Sequence, residues 1–84
     1  MNGHFTIPEK TILAMHERFS PGREMSRKEI IDAVCARFPG TNRGSVIPSD
    51  YCDNIYNKAP DSGRVHIFHY EARDRYTLLP RPKN

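Results

Sequence analysis

Apolar residues recur at helical spacing through the first half of the chain and alternate with polar ones near its end. Thr6-Ile7-Pro8-Glu9 opens the first helical stretch. Thr6 can cap the free N–H groups, Glu9 can reach back to it, and Pro8 falls in the first turn, where a missing N–H costs nothing. Ile12, Leu13, His16 and Phe19 follow at helical spacing, and Ser20-Pro21-Gly22 stops the helix. Ser26-Arg27-Lys28-Glu29 is a second capping box, followed by an apolar face of Ile30, Ile31, Val34, Cys35 and Phe38 and a Pro39-Gly40 stop. A third helix is predicted from a cap at Ser45, with Pro48 at its third position and Ile47, Tyr51 and Ile55 as a buried stripe spaced by four. Asn57 to Gly63 reads as loop.

Arg64 to Tyr70 alternates β-branched and aromatic residues and reads as a strand, as does Arg75 to Leu79, with Glu71 to Asp74 as the tight connection. Arg23 to Met25 reads as a short edge strand, and residues 80–84 as a frayed polar tail. The expectation is one α+β domain over 1–84, of the winged helix-turn-helix type. Three short amphipathic helices leave one side of their core open, and the inner face of a C-terminal two-stranded wing closes it.

Length and composition narrow the picture. Eighty-four residues suit one small domain with a small core. Hydrophobic residues at 37% and a mean hydropathy of -0.72 describe a polar but globular chain. No apolar run approaches the roughly 18 residues of a membrane helix, and the first residues show neither the basic nor the apolar region of a signal peptide. A cytoplasmic chain is therefore expected. Cys35 and Cys52, both placed inside helices by this reading, are expected to be reduced, because a disulfide scaffold of this length carries more cysteines.

Catalysis is not expected. There is no Gly-rich phosphate loop, no nucleophile elbow and no paired metal ligands at helical spacing. His66 and His69, three apart on a strand, point to opposite faces, so no metal and no cofactor is expected. Net charge is +3 and the pI about 9.1, a mild lean towards acidic partners. The excess is small in both halves, so any basic patch has to be made by folding.

Nucleic acid is the sharper expectation. In helix-turn-helix proteins the helix after the turn enters the major groove by its N-terminal end. That end is Asn42, Arg43 and Ser45 here, with Ser49 and Tyr56 able to add polar contacts and Asn54, Asn57 and Lys58 at the far end. Arg73 and Arg75 fall at the wing tip, while Lys10, Arg27 and Lys28 can add phosphate contacts from helix starts. Against this, Asp50 and Asp53 repel phosphate, and Glu71 and Asp74 offset the wing arginines. The four tyrosines cannot all be buried; Tyr51 and Tyr76 are placed inside.

Thr41-Asn42-Arg43 followed by Gly44-Ser45-Val46-Ile47-Pro48-Ser49-Asp50-Tyr51-Cys52 and Asn54 resembles a motif in a family of small bacterial and phage winged-helix-like domains. These occur alone or fused to restriction-type or HNH nuclease modules, which implies a DNA-targeting role. The resemblance covers residues 41–54 and carries over Asn42, Arg43, Ser45, Ser49, Tyr51 and Asn54. Where the family has an aromatic residue this chain has Asp53, which removes a stacking group and adds negative charge. The expected function is a non-catalytic module that binds double-stranded DNA. The alternatives are a phage-encoded interaction module or inhibitor that engages a host defence complex, and a regulator that forms a homodimer through its first helix.

Overall fold

The computed structural model describes residues 5–55 and 65–81. Helix α1 (Ile7–Arg18) and helix α2 (Arg27–Arg37) start where the two capping boxes fall. In each, the cap hydroxyl accepts from the N3 backbone (3.3 Å at Thr6, 3.1 Å at Ser26) and the N3 glutamate accepts the cap N–H at 2.8 Å. These four bonds satisfy donors that a helix start otherwise leaves open. Past α2, Gly40 sits at φ +93°, a left-handed conformation that costs a residue with a Cβ but not glycine.

Strands β1 (Glu24–Met25), β2 (Phe68–Ala72) and β3 (Arg75–Leu78) form an antiparallel sheet in the order β1-β3-β2. The fold is therefore α+β. Arg73-Asp74 makes the turn of the β2–β3 hairpin, with Asp74 at φ +63°. β3 starts at Arg75 as expected, and β2 runs two residues past the Tyr70 end expected for it. Glu71 and Ala72 belong to β2, not to the connection, and a register irregularity between Tyr70 and Ala72 absorbs the difference.

One core draws on every layer: Ala14 and Met15 of α1, Met25 of β1, Ile30, Ile31, Ala33 and Val34 of α2, and Ile67, Phe68, Tyr76 and Leu78 from the hairpin side. In α1 the buried face is Thr11, Ala14 and Met15, one step round from the Ile12–Leu13–His16–Phe19 stripe expected. Ile12 and Phe19 cover the core's margin instead. Thr11 is tolerated there because its hydroxyl donates to the Ile7 carbonyl at 2.8 Å.

The third helical region differs most from expectation. Arg43–Ser45 and Pro48–Tyr51 are two separate 3-10 turns, with no α-helix between 43 and 55. Asn42, not Ser45, caps the first turn by accepting the Gly44 N–H at 2.9 Å. Ile47, predicted buried, is exposed, and Val46 and Pro48 point inward instead. Chain beyond Pro48 is diverted onto the sheet. The Ile67 N–H donates to the Tyr51 carbonyl at 2.7 Å and the Asp53 N–H to the Phe68 carbonyl at 3.0 Å, so that Cys52 bridges Phe68 in parallel on the edge of β2 away from β3. Cys52 is thus in an extended segment and not in a helix. Cys35, in α2, and Cys52 are both free. No helix among the described residues is long and apolar enough to cross a membrane.

Candidate nucleic-acid interface

The segment 41–54 divides into residues that build the fold and residues that face outward. Asn42 is spent on its cap. Tyr51 is half-buried, and its carbonyl holds Ile67 just ahead of β2. Asn54 acts as a stand-in for a strand residue: its Oδ1 accepts the Tyr70 N–H and its Nδ2 donates to the Tyr70 carbonyl, both at 2.8 Å. Both ends of that amide are therefore committed, and it cannot at once read a base edge. Arg43 and Ser45 remain exposed, and Ser49 is half-exposed. Tyr56 and Lys58, and the Asn57–Gly63 loop with them, lie outside the described residues.

Arg43 gains a setting that the linear sequence does not show. The first 3-10 turn lies beside the start of α2, where Arg27, Lys28, Ile31, Arg43, Gly44 and Asp74 line an open groove of about 490 Å³. Asp32 holds two of its cations: Lys28 Nζ donates to one carboxylate oxygen at 2.9 Å and Arg43 Nη2 to the other at 2.8 Å. These bonds hold the Asp32 carboxyl below the usual carboxylate range, Lys28 contributing more than Arg43. Asp74 reaches across from the hairpin turn, and its Oδ1 accepts the Arg27 N–H at 2.8 Å. That contact caps α2 a second time and fixes the hairpin tip against it.

Arg73, next to Asp74, is exposed at the tip and forms no ion pair among the described residues. Arg75, also exposed, is held by Glu24 of β1 at 3.0 and 3.2 Å. The expected cancellation of the wing arginines by Glu71 and Asp74 takes another form. Asp74 turns to α2, and Glu71 accepts from the Thr77 hydroxyl at 2.6 Å. Lys10 turns away from solvent towards the Thr41 hydroxyl at 3.1 Å and the Phe38 ring.

The site residues thus fall into two groups. Arg43, Ser45, Arg73 and Arg75, with Arg27 and Lys28, belong to the region where the first 3-10 turn, the start of α2 and the hairpin tip meet. Tyr51 and Asn54 lie at the outer edge of β2 and serve the fold. At that edge His69 Nδ1 donates to Asp53 Oδ1 at 2.8 Å, and its Nε2 stands 3.4 Å from Asn54 Nδ2. A carboxylate only accepts, which places a proton on Nδ1. The strand pattern marks His69 only as an ordinary strand histidine, and Asp53 only as a negative charge beside the expected third helix. Their pairing needs the parallel docking of 51–54 on β2, which no local pattern announces.

A family model described as a domain of unknown function, DUF7225, matches residues 6–83, and the chain belongs to that family. No curated protein and no solved structure matches it.

Proposed function

We propose that this member of the DUF7225 family is a winged-helix-type module that binds nucleic acid, with double-stranded DNA as its target, and works by binding rather than by catalysis. One observation carries the reading. Folding gathers Arg27, Lys28 and Arg43, from two separate segments, around one open groove beside the hairpin tip that presents Arg73. The sequence showed only a mild and evenly spread positive charge, so this concentration is a product of the tertiary structure. The order of helix, short strand, helix, 3-10 region and hairpin, with the sheet order β1-β3-β2, suits the winged-helix plan. The resemblance of residues 41–54 to domains found fused to nucleases points the same way.

The carboxylates nearby do not cancel this reading. Arg43 and Lys28 meet Asp32 in exposed pairs, and such pairs are weak and screened by salt, so a phosphate can take over either cation. Among the described residues the large exposed hydrophobics are Phe5 and Ile47. Phe5 is already packed on Phe38 with ring centroids 5.5 Å apart. A broad apolar patch of the kind that marks a protein partner is not what this face offers.

Docking differs from the usual helix-in-groove arrangement, because residues 43–55 present 3-10 turns in place of a recognition helix. Contact is expected from the 43–45 turn and the start of α2, with Arg73 and Arg75 on the flanking backbone. Fluorescence anisotropy with a mixed-sequence duplex at about 50 and 200 mM salt tests this. About four phosphate contacts imply roughly a hundredfold loss of affinity across that interval, and Arg43→Ala lowers the salt slope by about one contact. Absence of binding at low salt by folded protein would refute the proposal and leave a protein-interaction module as the reading to pursue.

A further inference from the structure

The tip of the β2–β3 hairpin carries two charges of opposite sign side by side. Arg73 is exposed and forms no ion pair among the described residues, while Asp74 is committed to the start of α2. Asp74 also lines the same groove as Arg27, Lys28 and Arg43. As a bare charge it opposes phosphate there, though weakly, because it is exposed to water and salt. Its geometry gives it a second and opposite effect.

Asp74 stands at φ +63°, in the left-handed region that aspartate tolerates and glycine enters without cost. The backbone alone would accept glycine at least as well, and what the aspartate adds is its side chain. Its Oδ1 accepts the Arg27 N–H at 2.8 Å, across 47 residues of sequence. That N–H belongs to the first residue of α2, one of the donors a helix start leaves open, and a carboxylate suits the positive end of the helix. Ser26 Oγ takes the Glu29 N–H instead, so the cap and Asp74 serve different donors. The next residue, Arg75, is held to Glu24 of β1 at 3.0 and 3.2 Å. The two residues that follow Arg73 are thus tied to the body of the domain, one to α2 and one to β1.

A loose hairpin tip has to be ordered when a ligand binds, and that ordering weakens binding. A tip already ordered by folding escapes this. We infer that Asp74 is a positioning residue for nucleic-acid binding: by holding the hairpin tip on the start of α2 it presents Arg73 to the phosphate backbone in a fixed place, and this gain exceeds the repulsion of its own charge. The role rests on the duplex-binding reading of this face. Its signature is a sign, since removing a negative charge from a phosphate-binding face then weakens the complex.

Three substitutions in the full chain separate the tether from the charge. Asp74→Gly suits the φ of +63° and removes both. Asp74→Asn keeps the left-handed position and an Oδ1 acceptor for the Arg27 N–H, and removes only the charge. Arg73→Ala removes the presented cation. With a labelled mixed-sequence duplex at about 50 mM salt, Arg73→Ala and Asp74→Gly should each weaken binding about two- to tenfold, the range for ordering one side chain. Asp74→Asn should bind at least as tightly as the unmodified chain. Adding Arg73→Ala to Asp74→Gly should change affinity by less than about twofold, because an untethered Arg73 has little left to lose. In the free protein, hydrogen exchange at the Arg27 amide, followed by NMR, should be faster in Asp74→Gly and unchanged in Asp74→Asn.

Tighter or unchanged binding by Asp74→Gly would overturn the role and mark Asp74 as no more than an opposing charge. Losses that add in the double variant, failure of Asp74→Asn to keep affinity, or an Arg27 amide indifferent to Asp74→Gly would overturn it as well. Each of these leaves the duplex-binding reading intact. Absence of binding by the folded, unmodified chain would instead overturn both.

Discussion

Replacing Asn54 by alanine removes its two short hydrogen bonds to the Tyr70 backbone and the longer contact with His69 Nε2 at 3.4 Å. The side chain is exposed, yet its Oδ1 and Nδ2 take the N–H and C=O of Tyr70 at 2.8 Å each, as a neighbouring strand would. Tyr70 is half-buried, so water can replace part of what is lost. A net contribution of about 0.5–1.5 kcal/mol per bond, taken towards its lower half for this exposure, gives a loss of about 1–2 kcal/mol. In a domain of this size 1 kcal/mol moves Tm by about 4–8 °C, so Tm should fall by about 4–16 °C.

Urea unfolding followed by far-UV circular dichroism should show a lower midpoint with an unchanged slope. Asn54→Asp should cost at least as much despite its near-identical shape, because it sets a carboxylate oxygen against the Tyr70 carbonyl where an N–H now donates. The folded Asn54→Ala protein should bind duplex DNA as the unmodified chain does, since the amide is committed to the sheet. A stability change below about 0.5 kcal/mol would refute the clamp. A large drop in DNA affinity with stability intact would return Asn54 to the binding surface.

Burial pushes the Cys52 thiol up to about 12, with the Asp53 charge adding to the effect, so it stays protonated and inert. Iodoacetamide at about pH 8 should modify half-buried Cys35 and reach Cys52 only in denaturant, and mass spectrometry of the digested protein checks which residue is labelled. Hydrogen bonding to Arg37 and to Lys28 holds the carboxyls of Glu17 and Asp32 below their ordinary 4.5 and 3.8. A lowered carboxyl contributes stability that is present above the unfolded-state value and lost as pH falls through the folded one, so stability should decline below about pH 4, and Asp32→Asn should flatten that decline. Gly40→Ala should cost about 1 kcal/mol in urea unfolding although nothing lies within 4 Å of the added methyl, because the penalty arises from the φ of +93° alone.

The two long helices were legible from local chemistry. Thr6 with Glu9 and Ser26 with Glu29 act across three residues, so every partner that starts the helix is written beside it. The hairpin was legible as alternation, but its register was not. Where β2 ends depends on Tyr70 pairing with Tyr76 and on Asp74 taking the left-handed turn position that ties the tip to Arg27.

The segment after Arg43 shows the limit most clearly. Ile47, Tyr51 and Ile55 have the spacing of a buried helical stripe, yet 3-10 turns and an extended strap form instead. Pro48 supplies no N–H to an α-helix, and the hydrogen-bond partners of residues 51, 53 and 54 lie on residues 67, 68 and 70. Pairing across that distance competes with local helix formation and wins once β2 exists to receive it. The same long-range placement made the candidate site. Residue types alone identified the helix starts, the turn positions and the cations. Only the tertiary structure brought Arg43 beside Lys28, turned Asp74 onto the start of α2 and spent Asn54 on the sheet, because each of those contacts joins segments whose approach is set by the shared core and not by their neighbours in sequence.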